Sequence, residues 1–313
     1  MDIKEKIKLN FDDAFFEEEE RCGYLVTKKM KKVWAVELDL LNELLIVCNK
    51  HNINVIVFAG TLLGAIRHKG MIPWDDDVDV AMTREEYDKL CDVAPKEFKY
   101  PYFFQNYQTA PQYLFGYSRL RNGLTTGYIK GHDNVNYNNG IYIDIFVLDG
   151  YIDDPQKLKS QIKKRNFYNW MSSLYLRNSV SRSAIKQLLK INLIYPLAKL
   201  SLCKIIAYDD IVKHYVDTIK FYNKSDRVSL MSQSISYIQR YWCYVKDFDK
   251  VSYLPFENIK VPVPDSYDVI LSHMYGKYME YPPVEKRGLW HNGELFLDPD
   301  IPYKEYMKKE INK

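Results

Sequence analysis

The sequence predicts an α+β fold, in which a β-sheet core has flanking helices and a basic helical lobe. Three observations predict it. An amphipathic stretch over residues 28–51 is followed at once by a short apolar strand. Two apolar, β-branched runs, 74–82 and 141–147, carry acidic residues at the spacing of strands. Residues 155–207 then change to a basic pattern that is typical of helices.

The first helix is predicted over residues 28–51, where apolar positions recur at helical spacing (Val33, Val36, Leu40, Leu41, Leu44, Val47). Asn52 ends this helix, and a strand follows from Val55 to Phe58. Gly60-Thr61 opens a short helix up to Arg67, whose first amides would face an anion. Farther on, Thr83 and Glu86 have the spacing of a capping box, which predicts a helix to about Asp92.

Four carboxylates lie within five residues, at Asp75, Asp76, Asp77 and Asp79. If residues 74–82 are extended, Asp75, Asp77 and Asp79 share one face, because side chains alternate along a strand. Carboxylates this close repel one another unless a cation lies between them, and Mg²⁺ takes such oxygen ligands and bridges to phosphates. With the small-residue turn ahead of it, the pattern predicts a metal-dependent site for a phosphate-bearing substrate. A solvated acidic turn is the alternative.

A third strand is predicted over residues 141–147, with Asp144 as the single acid in its middle. A charge inside an apolar strand is costly unless it has a partner. Asp144 would have one if it met the same cation as Asp77 and Asp79. The alternative is a buried Asp144 paired with an arginine, and it stays open.

The segment 155–207 contains eleven Lys and Arg residues and no Asp or Glu. Apolar residues alternate with them, and Pro196 predicts a break or kink between basic helices. Such a surface suits an anionic membrane, a polyanionic or lipid-linked acceptor, or simply solvent. Nucleic acid is not expected as a partner, because the net charge is only +3 and no binding module accompanies it.

The remaining features indicate a cytoplasmic protein. The five cysteines are widely spaced without a Cys-x-x-Cys pair, as expected for reduced thiols. Residues 1–6 lack the apolar region of a signal peptide, and no run reaches about 18 apolar residues. We therefore expect a cytoplasmic protein that contacts the inner membrane face through residues 155–207.

The run from Gly60 to Met82 resembles the signature of the LicD family, which includes fukutin and fukutin-related protein. Three further blocks are similar to family motifs and occur in the same order: residues 117–126, residues 140–150 with Val147 where proline is usual, and segments of 261–291 that end at His291. The resemblance covers about residues 30–150 and 255–291, and no motif matches residues 1–28 or 151–250.

This resemblance implies a nucleotidyltransferase-like mixed sheet over residues 29–150 as the catalytic core. An acidic N-terminal lead of residues 1–28 would precede it, and a basic helical lobe of residues 151–250 would follow. Residues 251–313 would pack back on the core, with a helix over Tyr267–Tyr278.

The resemblance also implies transfer of a phospho-alcohol, phosphocholine first, from a CDP-activated donor to a hydroxyl of a cell-surface glycan or its lipid-linked precursor, with release of CMP. Mg²⁺ or Mn²⁺ would be held by Asp77, Asp79 and Asp144, and Asp75 would help to deprotonate the acceptor. The implied substrate contacts are Gly60, Thr61, Gly64, Arg67, His68, Arg119, Arg121, Lys286, Arg287 and His291. Aromatic faces suit choline, and Tyr107, Tyr113, Tyr117, Tyr128 and Tyr142 are available, but their spacing picks out no cage.

Two other functions stay open. A nucleotidyltransferase that moves the NMP half of an NTP onto a sugar or small molecule would use the same three carboxylates, and would release pyrophosphate instead of CMP. A glycan-binding protein with a degenerate site would not need the metal.

Overall fold

The computed structural model describes residues 2–110, 113–129, 137–176, 207–288 and 295–311. Within these ranges the helices are α1 (Lys28–Lys50), α2 (Ala59–Arg67), α3 (Arg84–Glu97), α4 (Pro155–Leu176), α5 (Tyr208–Ile219), α6 (Ile235–Arg240), α7 (Tyr267–Tyr275) and α8 (Tyr303–Ile311). The strands are β1 (Glu19–Arg21), β2 (Tyr24–Val26), β3 (Ile56–Val57), β4 (Asp79–Thr83), β5 (Tyr102–Gln105), β6 (Ser118–Asn122), β7 (Thr126–Ile129), β8 (Ile141–Gly150), β9 (Arg227–Ser229), β10 (Trp242–Tyr244), β11 (Val251–Phe256), β12 (Ile259–Pro264) and β13 (Leu295–Asp298). The α+β class predicted from the sequence is confirmed.

The main sheet has seven strands, with the long strand β8 at its centre. β8 pairs in parallel with β4 and antiparallel with β6, and β3 and β5 lie outside these two. β9 pairs with the last residues of β8, and β10 continues from β9. Because both parallel and antiparallel pairs occur, the sheet is mixed, as expected.

Helix α1 supplies most of the apolar layer against the sheet. Trp34, Leu38, Leu40, Leu41 and Leu44 on this helix are fully buried. The helix begins where the sequence predicts, since the Thr27 hydroxyl accepts a hydrogen bond from the Met30 amide at 3.2 Å. The predicted amphipathic helix is therefore observed, one residue shorter than expected at its C-terminal end.

Three elements differ from the prediction at their ends. The strand expected from residue 74 begins only at Asp79, and a loop precedes it. The Thr83 side chain makes no capping hydrogen bond, and Glu86 accepts instead from the Asn54 amide at 2.9 Å. The helix expected to reach Tyr278 ends at Tyr275, because Gly276 turns the chain with φ at 67°.

The N-terminal lead of residues 1–28 packs against the core. Ile3 and Phe11 belong to the core. The buried Lys6 ammonium donates to the carbonyls of Pro299 at 2.8 Å and Asp300 at 2.7 Å. The N-terminal segment is therefore held against the segment that leads into α8.

Helices α4 and α5 form a smaller layer with an apolar cluster of its own, which includes Leu158, Tyr215 and Ile219. The Gln161 amide donates to the Thr218 carbonyl at 2.8 Å and joins the two helices. The predicted kink at Pro196 lies outside the described residues. No helix in the described ranges is both long enough and apolar enough to cross a membrane.

A buried ion pair connects α3 to the end of β8. Arg84 donates to both carboxylate oxygens of Asp149, from Nε at 2.9 Å and from Nη2 at 2.6 Å. Asn223 donates to the same carboxylate at 3.0 Å and accepts from the Gly150 amide at 2.7 Å. Since both charged side chains are buried, each depends on the other for compensation.

Replacing Arg84 with Ala would leave Asp149 buried without its counter-charge. We expect the free energy of unfolding to fall by about 3–5 kcal/mol, measured by urea denaturation. The control is Lys89→Ala on the same helix, which removes an exposed cation 3.3 Å from Glu85. That loss should be below about 0.5 kcal/mol, and equal losses in the two variants would contradict the assigned role of the buried pair.

Candidate functional site

A cavity of about 670 Å³ opens where the start of β4, the middle of β8 and the first turn of α2 meet. Eight of the residues predicted for the site line it: Gly60, Arg67, Asp75, Asp77, Asp79, Arg119, Asp144 and Lys286. They come from segments that lie far apart in the sequence, and the sheet register brings several of them together.

A row of charged side chains crosses three adjacent strands. Asp79 on β4 is paired in register with Asp144 on β8, and Asp144 is paired with Arg119 on β6. Residues opposite one another on neighbouring strands share a face, so all three side chains point into the cavity. Arg119 Nε donates to Asp144 Oδ1 at 2.6 Å. Asp144 is thus paired with an arginine, the alternative left open by the sequence, and it also lies beside Asp79.

The loop before β4 brings three more carboxylates close together. One oxygen from each of Asp75, Asp76 and Asp77 lies within 4.8 Å of the others. Asp75 and Asp77 line the cavity, whereas Asp76 is buried and does not. Among the residues described, this is the tightest acidic group, and the expected trio of Asp77, Asp79 and Asp144 does not meet the same distance limit.

Burial and mutual repulsion disfavour the ionised forms of Asp75 and Asp79. Burial raises the pKa of Asp75 well above its ordinary value, and the charges of Asp77 and Asp76 raise it further. Burial also raises the pKa of Asp79, with Asp77 and Asp144 adding to the shift and Arg119 opposing it. Carboxylate oxygens in this environment fit a hard divalent cation such as Mg²⁺ or Mn²⁺.

Glu37 on α1 is an acidic neighbour that the sequence reasoning missed. It is buried, and its Oε2 has no hydrogen-bond partner within the described ranges. Burial raises its pKa well above the ordinary value, followed by the charges of Asp77, Asp76, Asp75 and Asp79. A signal was available, because Glu37 lies four residues after Val33 and therefore on the apolar face of the helix.

The glycine turn serves the site in three different ways. A Cβ on Gly60 would lie 2.8 Å from Asp75 Oδ2, so any larger residue here would displace that carboxylate from its position. The Thr61 hydroxyl accepts from the Asp79 amide at 2.8 Å and therefore positions β4. Gly64 allows α2 to approach the Gly70 carbonyl, which a Cβ would meet at 2.6 Å. Thr61 and Gly64 do not line the cavity.

Two of the four expected arginines lie in the cavity wall. Arg67 is one of them, and it donates from Nη1 to the carbonyls of Tyr278 at 2.8 Å and Glu280 at 3.1 Å. Arg119 is the other. Arg121 is not brought to the cavity, because it donates to Gln105 and to the carbonyls of Gly127 and Gly140. Burial lowers the pKa of Arg121 to about 10.

His68 and Arg287 lie behind the cavity wall. His68 Nε2 accepts from Arg67 Nε at 2.9 Å, and burial lowers the pKa of His68 to about 4, so the ring is neutral near pH 7. Arg287 donates to the Cys22 carbonyl at 2.8 Å and stacks 5.0 Å from the centre of the Trp74 ring. Lys286 is exposed at the cavity edge, and His291 lies outside the described residues.

The aromatic part of the cavity differs from the tyrosines considered in the sequence. Of those five, Tyr117 lines the cavity. The sequence reasoning did not identify Tyr237, Tyr241 and Tyr275, which also line it. Tyr237 and Tyr241 come from a region where no motif was matched, so no local signal pointed to them.

Comparison with known proteins adds independent findings. The model of the LicD/FKTN/FKRP nucleotidyltransferase domain matches residues 52–192. The lipopolysaccharide cholinephosphotransferase LicD of Haemophilus influenzae is 27% identical over 276 residues, which are 86% of this chain and 98% of the relative. Two uncharacterized proteins, from Rickettsia prowazekii and Rickettsia typhi, are 45% and 43% identical over 47 residues, or 15% of this chain and 18% and 15% of their own lengths.

The raised pKa of Asp75 predicts a pH dependence of stability in the metal-free protein. Because folding raises the pKa of this carboxyl, the folded state keeps the proton up to a higher pH than the unfolded state does. The free energy of unfolding therefore falls as the pH rises above 3.8, the ordinary pKa of an aspartate. Asp75→Asn removes this loss. The free energy of unfolding of the variant, relative to that of the unsubstituted protein, should therefore increase from about pH 5 to about pH 8. Urea denaturation in the presence of a chelator measures both values.

Asp92→Asn is the matched control, since it removes an exposed carboxylate from α3. Its effect should be the same at both pH values. A difference between Asp75→Asn and the unsubstituted protein that does not change with pH would contradict the electrostatic role of Asp75.

Proposed function

The chain belongs to the LicD family, and from that premise we propose that it transfers a phospho-alcohol, phosphocholine first, from a CDP-activated donor to a hydroxyl of a cell-surface glycan or its lipid-linked precursor. CMP is the second product. The observation that carries the proposal is the row Asp79, Asp144 and Arg119 in one cavity with Asp75 and Asp77. Carboxylates for a cation and guanidinium groups for phosphate meet there.

The donor diphosphate binds between acidic and basic side chains. Asp77, Asp79 and Asp144 would hold Mg²⁺ or Mn²⁺, which would supply charge neutralisation at the diphosphate. Arg67 and Arg119 offer planar groups of N–H donors for phosphate oxygens. The first turn of α2 at Gly60 borders the same space, where backbone amides favour an anion.

The acceptor hydroxyl attacks the distal phosphorus of the donor. A bond forms between that oxygen and phosphorus, and the bond from phosphorus to the bridging oxygen breaks, so that CMP leaves with the bridging oxygen. Asp75, in the cavity wall, accepts the proton of the hydroxyl. Its burial beside Asp77 raises its proton affinity, which suits a base.

The lipid-linked form of the acceptor leads us to assign a peripheral membrane contact to α4. Lys159, Lys163 and Lys164 are exposed on this helix. Phe167 and Trp170 on the same helix are 52% and 44% exposed. Cationic side chains beside exposed aromatic rings favour the surface of an anionic membrane, here its cytoplasmic face.

CMP release measured with CDP-choline, a divalent cation and a glycan acceptor tests the transferase. Asp79→Asn should lower turnover by at least about a hundredfold while the fold is retained, because it removes a charge from the diphosphate site. Asp92→Asn on α3 should keep full activity. Near-normal turnover in Asp79→Asn would remove Asp79 from the mechanism.

The same assay separates the other functions. Pyrophosphate release from an NTP, without CMP release from any CDP-alcohol, would replace the proposal with a nucleotidyltransferase. A protein that binds glycan but turns over neither donor, with metal present, would be a binding protein.

Co-sedimentation with phosphatidylglycerol vesicles tests the membrane contact. Changing Lys159, Lys163 and Lys164 to Glu should weaken binding by at least about a hundredfold, since each surface cation contributes about 1 kcal/mol. The matched control changes three exposed lysines elsewhere to Glu, so that the total change in charge is the same: Lys246, Lys250 and Lys304. Equal losses in both triple variants would show that net charge alone governs binding.

A further inference from the structure

Three tyrosines form a corner in the cavity wall. The Tyr237 and Tyr241 rings are nearly stacked, with centres 5.1 Å apart and planes at 30°. The Tyr275 ring stands almost perpendicular to Tyr241, with centres 6.2 Å apart and planes at 86°. The corner therefore offers aromatic faces in two directions to anything in the cavity.

Three other aromatic rings of the cavity already have a protein cation beside them. Arg67 lies 5.3 Å from the centre of the Tyr281 ring, Arg287 lies 5.0 Å from that of Trp74, and Arg119 lies 5.8 Å from that of Tyr117. In the described part of the chain, no Lys or Arg stands over Tyr237 or Tyr241. Arg240, 5.8 Å from the centre of Tyr275, does not line the cavity. Tyr237 and Tyr241 thus have ring faces in the cavity that a cation from outside the protein can approach.

Negative charge lies within reach of this corner. Asp75 and Asp79 line the same cavity, and both contribute, after burial and Tyr241, to the raised pKa of Tyr275. The nearest cavity lysine in sequence, Lys277, pairs with Glu280 at 3.2 Å. A ligand cation at the corner would meet ring faces on one side and carboxylates on the other.

We propose that Tyr237, Tyr241 and Tyr275 bind the trimethylammonium group of a choline-bearing donor and thereby select choline over ethanolamine and over polyols. The proposal rests on the transferase function proposed above and assigns the specificity of that site.

The chemistry of the corner favours a quaternary ammonium over a primary one. A trimethylammonium group has no N–H, so it needs ring faces and no hydrogen-bond acceptor. A primary ammonium would lose hydrogen bonds to water without full replacement, and a neutral polyol would gain no cation–π attraction.

Binding of phosphocholine, measured by calorimetry, tests the subsite without turnover. Tyr237 is 36% exposed, so Tyr237→Leu removes a ring face without opening the core. We expect this variant to bind phosphocholine about tenfold more weakly, and Tyr237→Phe, which keeps the face, to bind normally. The matched control is Tyr253→Leu on β11, a tyrosine that is 58% exposed and lies outside the cavity wall. Absence of saturable binding to the unsubstituted protein, or equal weakening in the Tyr237→Leu and Tyr253→Leu variants, would overturn the subsite.

Turnover separates this proposal from the transferase itself. With CDP-choline, Tyr237→Leu should lose about tenfold in kcat/KM, and with CDP-glycerol it should lose nothing. An equal loss with both donors would overturn the subsite and leave the transferase standing. If the unsubstituted protein released no CMP from any CDP-alcohol, the transferase would fail, and phosphocholine binding would still decide the subsite.

Discussion

The structure depends on one constraint: several carboxylates lie together where water is largely excluded. The parallel register of β4 and β8 places Asp79 beside Asp144, the preceding loop adds Asp75 and Asp77, and α1 adds the buried Glu37. Like charges in such surroundings repel strongly, and the proton affinities of Asp75, Asp79 and Glu37 all rise. The arrangement is unfavourable for the isolated chain, and the divalent cation that we propose for this site would relieve the repulsion.

The surrounding fold holds this arrangement in place. The apolar face of α1 packs on the sheet, and Trp34 on that helix donates to the Asp75 carbonyl at 3.4 Å. The Thr61 hydroxyl accepts from the first amide of β4, so the turn that opens α2 is joined directly to the strand that carries Asp79. Ala59, at the start of α2, has φ at 46°, a left-handed conformation that the neighbouring contacts must maintain. Strain and charge repulsion thus occur in the same place, beside the cavity.

Local patterns in the sequence were sufficient for the fold class and for several of the side chains that the structure brings to the cavity. Asp79 opens a strand and Asp144 interrupts an apolar one, so the period of two applies to these residues. Asp75 and Asp77 reach the cavity from a loop, so the strand pattern that singled them out is not what places them there. Arg119 and Arg121 look equivalent in sequence, yet only Arg119 faces the cavity, because Arg121 lies two residues farther along β6 and bonds to the carbonyls of Gly127 and Gly140. Such a difference depends on register between strands, which no local pattern contains. The same holds for Tyr237 and Tyr241, which meet the acidic residues only after the chain has passed through α4 and α5.

The cavity is divided by charge and polarity, and this division bears on the choice of donor. Acidic side chains occupy the centre, Arg67 and Arg119 flank them, and the tyrosine corner forms a wall without a protein cation of its own over Tyr237 and Tyr241. A phosphocholine donor has the matching division, since its diphosphate is anionic and its far end is a cation that donates no hydrogen bond. A polyol donor would use the diphosphate half of the cavity equally well and leave the aromatic half without an electrostatic role. The presence of both halves in one cavity is therefore explained more fully by choline than by glycerol or ribitol.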